Sequence, residues 1–163
     1  ILDSDLLENR TDWKVIDNPF AEDDPVVAIK AIDPDVALIH AHSADRFGNV
    51  FVGRERDCLT LAHAARSCVL TVEEIVDGNL LDDPAKSGSV LPALYIDAIA
   101  HVPMGAWPIG FGDHYGADDA AMRAYLVAAK AAEPADDLLQ ILLSKAPWAN
   151  VLRPVSLPAS ADV

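Results

Sequence analysis

His40 and His42 stand two residues apart in the run Val36-Ala37-Leu38-Ile39-His40-Ala41-His42, so in a strand both imidazoles fall on one face, with Asp45 close behind. Two imidazoles and a carboxylate make a minimal zinc set. Histidines closing a buried strand more commonly satisfy their ring nitrogens with neighbouring polar groups, so core histidines are expected and no metal site is assigned. Ala44-Asp45-Arg46-Phe47-Gly48-Asn49 follows directly, at the carboxyl end of that strand, where open α/β sheets bind ligands. Asp45 and Asn49 are therefore candidate substrate-binding residues. Turn closure, with Gly48 or Asn49 at positive φ, accounts for the same residue types, and both readings stay open. Glu73 and Glu74 end a second β-branched run, and neighbouring strand residues point to opposite faces, so at most one enters a shared cleft. A carboxylate there can act as base, nucleophile or acceptor, although solvation or pairing with Arg is the ordinary fate of such acids. Glu73 is the third candidate. His114 and Tyr115, in a Gly-rich stretch, can either touch a ligand or pack over a sheet end. The chain has no Gly-x-Ser-x-Gly elbow, no phosphate-binding Gly-Lys-Ser/Thr loop and no zinc-type Cys/His spacing.

These groups need elements to hold them. Residues 36–42 are nearly all apolar, the pattern of a central parallel strand covered on both faces. Residues 56–66 place Leu59, Ala62 and either His63 or Arg66 on one side of a helix, and residues 68–72 form the next strand. Asp77-Gly78 and Asp82-Asp83-Pro84 mark turns ahead of a third strand within residues 94–102. Strands alternating with helical crossovers predict an α/β fold: an open, mostly parallel sheet with flanking helices. Beyond Pro103 come Gly105, Pro108, Gly110, Gly112 and Gly116 among aromatic residues, a loop shaped for function. Asp118 is placed to cap a helix over residues 119–132, and Pro134 to begin another that Pro147 ends. The first 35 residues read as short strands and loops, residues 1–145 as one domain and residues 146–163 as an extended tail.

The composition narrows the function classes. Of 163 residues 52% are hydrophobic, enough for a real core, and 26 acidic residues against 12 basic ones leave a net charge of -14. Such a surface repels phosphate backbones, so no nucleic-acid partner is expected. No apolar run reaches the roughly 20 residues of a membrane span, and no leader-like stretch opens the sequence. Cys58 and Cys68 lie in apolar periodic segments and read as reduced core thiols of a cytoplasmic protein. Because it begins at Ile1, the sequence is expected to be a fragment or one part of a longer polypeptide.

Over residues 1–127 the sequence resembles the class I CoA-transferases, in particular the α subunit of the glutaconate CoA-transferase branch. The resemblance rests on Ser4-Asp5-Leu6, Asn18-Pro19-Phe20, Asp35-Val36-Ala37, His40, Ala44-Asp45-x-x-Gly48-Asn49, Val72-Glu73-Glu74-Ile75-Val76, Asp97-Ala98, and Val102-Pro103-x-Gly105-Ala106-x-Pro108 followed by Tyr115, in the family's order. It implies the C-terminal portion of an α subunit, since a full one carries roughly a hundred more residues before Ser4. It also implies a hetero-oligomer with a homologous β subunit. The active site would lie between the two. The nucleophilic glutamate is expected on the partner chain, with CoA as substrate and no resident cofactor. Asp45, Asn49 and Glu73 would then shape and support the cleft that receives the acyl-CoA and a small carboxylic acid. Ser43 departs from the relatives, which often carry a basic residue there. Two other functions fit the fold: hydrolysis of an acyl-CoA or of a CoA-linked ring, and metabolite sensing without turnover.

Overall fold

The computed structural model describes residues 2–55, 57–131, 140, 142–148 and 153–155. The chain divides into two compact units, residues 1–33 and 34–163. In the first, the short helix α1 (Leu6–Asn9) precedes a two-stranded antiparallel ribbon of β1 (Lys14–Ile16) and β2 (Val26–Ala28), with Val15 opposite Val27. Short strands and loops were what the acidic pairs and turn formers of this segment implied.

The second unit is built on β3 (Val36–Asp45), β4 (Val50–Phe51), helix α2 (Asp57–Ala64), β5 (Ser67–Val76), β6 (Val90–Leu91), β7 (Ala98–His101), helix α3 (Asp119–Lys130) and β8 (Arg153–Val155). The six strands form one open sheet in the order β6-β4-β3-β5-β7-β8. Its centre is parallel: β3 runs beside β5 from Val36↔Ser67 to Asp45↔Val76, and β5 beside β7 from Val69↔Ala98 to Val72↔His101. The edges, β4, β6 and β8, are antiparallel to their neighbours. The expected α/β architecture is present, with its parallel part confined to the three central strands. Residues 94–102 divide into a 3-10 turn, Ala93–Tyr95, and the four-residue β7.

Strand alternation sorts the side chains of β3 and β5 onto two faces. Ala37, Ile39, Ala41, Cys68, Leu70 and Val72 pack into the core with Ala62 of α2, while Cys58, Leu59 and Ala65 close over its edge. The opposite face carries His40, His42, Thr71 and Glu73 toward the carboxyl ends of the strands. Nearer their start, that face is bare: Val36 is 50% and Leu38 75% exposed. The expectation that this strand is covered on both faces is thus corrected. The described residues supply a helix to one side and a loop only to the far end of the other.

Helix α3 starts where its cap predicts. Asp118 Oδ1 accepts from the Ala121 backbone N–H at 2.9 Å, and Asp118 Oδ2 accepts from Trp107 Nε1 at 3.1 Å, which ties the helix start to the Gly-rich loop. The helix ends at Lys130, two residues before the expected Ala132. The second helix expected from Pro134 begins outside the described residues, as does most of the tail, of which only β8 is seen. Leu70 is fully buried at the centre of the sheet, so Leu70→Ala is expected to cost about 2–5 kcal/mol. A midpoint shift in urea unfolding, at unchanged slope, measures it.

Candidate functional site

The loop that follows β7 folds back over the carboxyl ends of β3 and β5, and a buried carboxylate holds it there. Glu73, 6% exposed, takes the Met104 backbone N–H on Oε2 at 2.6 Å, and on Oε1 the Tyr115 hydroxyl at 2.6 Å and His40 Nε2 at 2.7 Å. Because the carboxylate accepts, the proton of His40 sits on Nε2, which leaves Nδ1 to accept from the Thr71 hydroxyl at 2.7 Å. The Tyr115 hydroxyl accepts in turn from the Ala106 N–H at 2.9 Å, and His101 Nε2 donates to the Glu73 carbonyl at 3.0 Å. One side chain therefore grips the loop at both ends, at Met104 and at Tyr115. Gly105 is required by the close approach: a Cβ there would lie 2.6 Å from His40 Cε1 and 2.8 Å from the Val102 carbonyl oxygen. Burial pushes the Glu73 carboxyl up, but hydrogen bonds from Tyr115, His40 and the Met104 N–H outweigh it, and the net shift is downward. Burial and the Glu73 carboxylate together push the Tyr115 phenol up to about 12.

Asp45 and Asn49 form a second hub at the β3–β4 turn. Asp45 Oδ1 accepts from the N–H groups of Phe47 at 2.8 Å and Asn49 at 3.0 Å, and Oδ2 accepts from Asn49 Nδ2 and the Leu80 N–H, both at 2.9 Å. Asn49 Oδ1 accepts from the Ala93 N–H at 3.1 Å, and its Nδ2 also donates to Asn79 Oδ1 at 3.2 Å. Gly48 takes the positive φ, +87°. The pair closes its own turn, as one of the two open readings had it, and also fastens the loops after β5 and β6 to the end of β3. Burial would raise the Asp45 carboxyl, yet the donors from Asn49, Leu80 and Phe47 hold it below its ordinary value.

Asp45 and Asn49 are thus joined to each other, whereas Glu73 bonds a different set of partners. Glu74, on the other side of β5, is exposed, with Oε1 3.9 Å from His114 Nδ1. His40 and His42 do share a face, but their nitrogens go to side chains: His40 to Glu73 and Thr71, His42 Nδ1 to His114 Nε2 at 3.0 Å. Among the described residues no group of three potential ligands could hold a metal ion. Burial raises the pKa of both Cys58 and Cys68, which keeps the two thiols protonated and unreactive.

Between the β4–α2 segment and the Gly-rich loop lies an open cavity of about 650 Å³ lined by His42, Phe51, Gly53, Arg54, Glu55, Gly112, Asp113 and His114. The His42 ring packs against those of Phe51 and Phe111, with centroids at 5.5 and 4.8 Å. Gly53, at φ +68°, lets the chain pass over it, where a Cβ would meet His42 Nε2 at 2.6 Å. Burial lowers the His42 pKa, and His114 lowers it further, so a neutral imidazole forms this wall. Sequence reasoning missed the His42–His114 pair and Arg54. Seventy-two residues separate the two histidines, and no periodicity links positions so far apart.

A family model described as coenzyme A transferase matches residues 19–101. The chain is 37% identical over 126 residues to one subunit of the 3-oxoadipate CoA-transferase of Pseudomonas knackmussii, covering 75% of this chain and 42% of that protein. It is 35% identical over 127 residues to the corresponding subunit of the glutaconate CoA-transferase of Acidaminococcus fermentans, covering 76% and 39%. Among solved structures, it resembles the glutaconate coenzyme A-transferase of the latter organism with a TM-score of 0.68 and 30% identity over 83% of this chain and 42% of that one. A variant of the decarboxylase AibA/AibB gives a TM-score of 0.71 and 32% identity over 87% and 50%. The chain spans less than half the length of these two curated relatives.

Two outcomes check the geometry. Of the three tyrosines, Tyr95, Tyr115 and Tyr125, one should ionise at about 12 in an ultraviolet titration, and Tyr115→Phe should abolish that step; three phenols titrating together near 10 would contradict it. Asp45 and Glu73 both have lowered pKa values in the folded state, so their stabilisation is complete above the ordinary carboxylate range and fades as pH falls through their folded values. Thermal stability should therefore hold from about pH 7 to pH 5 and drop below about pH 4, less steeply in Glu73→Gln, which at neutral pH costs about 2 kcal/mol.

Proposed function

The chain belongs to the coenzyme A transferase family, and from that premise we propose that it is part of the α subunit of a two-subunit CoA-transferase, moving CoA between an acyl-CoA and a carboxylic acid. The observation that carries the reading is the pair of buried hubs, Asp45–Asn49 and Glu73. They brace the loops at the carboxyl ends of the parallel strands around an open cavity within the family match and the loop beyond it. In this reading Asp45, Asn49 and Glu73 serve substrate binding by fixing those loops. Both Glu73 oxygens are engaged by donors, so the attacking carboxylate comes from a homologous β subunit.

The chemistry is a double exchange. A glutamate carboxylate on the β subunit's side of the cleft attacks the thioester carbonyl, CoA leaves as thiolate, and a mixed anhydride forms. The thiolate then attacks the glutamyl carbonyl of that anhydride, which releases the first acid as its carboxylate and leaves a glutamyl-CoA thioester. The acceptor acid repeats the two steps in reverse and departs as the new acyl-CoA. Charge developing on the carbonyl oxygens needs preorganised donors, and a loop locked in place supplies them without reorganisation. CoA is a substrate here, and no resident cofactor is called for. No described helix is long and apolar enough to cross a membrane, and the acidic chain with its two free thiols suits the cytoplasm.

The likeness to a decarboxylase favours a second reading, in which the same fold breaks a carbon-carbon bond of an acyl-CoA. The assembled complex separates the two. Labelled acid should enter the acyl-CoA pool with no loss of carbon dioxide. Carbon dioxide release without an acceptor acid would decide for the second reading. Within the transferase, Glu73→Gln loosens the loop and should lower the exchange rate by about tenfold to a hundredfold, measured as label transfer at saturating substrate.

A further inference from the structure

Arg54 is the one cationic side chain other than the imidazoles in the lining of the 650 Å³ cavity, and the reading that follows rests on the CoA-transfer proposal. It is exposed, and among the described residues its guanidinium makes neither an ion pair nor a hydrogen bond, although Glu55 and Asp113 line the same hollow. The other polar groups are already engaged. His42 Nδ1 meets His114 Nε2, the far nitrogen of His42 faces Gly53, and His114 Nδ1 looks toward Glu74 at 3.9 Å. Lys86 lies over the Phe51 ring, 5.7 Å from its centroid, and does not line the cavity.

We infer that Arg54 anchors a carboxylate of the acid substrate, the one that does not exchange CoA, while the Phe51 and His42 rings face the carbon chain. A guanidinium presents a fork that matches a carboxylate's two oxygens, and no protein carboxylate among the described residues occupies it. Glu55 and Asp113 set the limit. With two acids and one guanidinium in the lining, the cavity accepts a single carboxylate and repels a second charge, so it selects an acid carrying one non-reacting carboxylate. Arg54 is thereby a specificity-determining residue.

Equilibrium binding of glutarate and of butyrate to the full chain, alone and with its partner subunit, tests this without turnover. Glutarate should bind more tightly than butyrate, and Arg54→Gln should weaken glutarate about tenfold while leaving butyrate unchanged. Asp113→Asn should tighten glutarate about threefold, an effect that shrinks as salt is raised. Both positions are exposed, and unchanged thermal unfolding confirms that the variants fold. Equal glutarate affinity in wild type and Arg54→Gln, the same loss for butyrate, or no glutarate binding to the wild-type complex would overturn the assignment. Loss of glutarate binding in Arg54→Gln by a complex that exchanges no CoA would uphold the carboxylate anchor and defeat the CoA-transfer reading instead.

Discussion

The ionised carboxylate of Glu73, buried at the end of β5, is the interaction on which the rest of the site depends. Left alone in that place a carboxylate would be strongly disfavoured, and three donors keep it charged: the Tyr115 hydroxyl, His40 Nε2 and the Met104 N–H. Two of the three belong to the loop that follows β7, so charging the carboxylate and closing the loop are one event. From that closure follow the position of His114 against His42, the wall formed by Gly112 and Asp113, and the cavity itself. The same loop reaches α3 through Trp107 and Asp118, which extends the constraint to the start of that helix.

Asp45 does for the neighbouring strand what Glu73 does for β5. Its oxygens gather backbone donors from the β3–β4 turn and from the loop after β5, and Asn49 adds the segment after β6. Such hubs are costly to remove, because each deletion strands buried N–H groups as well as losing a bond. They are also directional in a way that apolar packing is not. The core of Leu70, Val72 and Ile39 holds the sheet together, but only these carboxylates specify where the loops above it lie.

Much of this was legible in the chain. The apolar runs of β3 and β5, the Asp118 cap, the turn at Gly48 and the opposed directions of Glu73 and Glu74 all follow from local stereochemistry and side-chain period. The bare lower half of one sheet face was not. A run such as Val36 to His42 carries the same apolar signature whether its second face is covered or open, and coverage depends on which segments return to it. Residues 94–102 were harder for a related reason: Ala93–Tyr95 turns because the chain must descend to reach β7, not because its residues avoid strands.

The sequence by itself determined the order of the central elements, the turn chemistry, the charge, and the family pattern that runs through Asp45, Asn49 and Glu73, because these depend on contacts between residues near each other in the chain or on composition. Tertiary structure alone decided that Glu73 would meet Tyr115 across 42 residues, that His42 would meet His114 across 72, and that Arg54 would face a hollow with no described carboxylate paired to it. Those meetings are set by how a parallel sheet brings distant strand ends to one edge, and no local pattern of residue types encodes the distances that result.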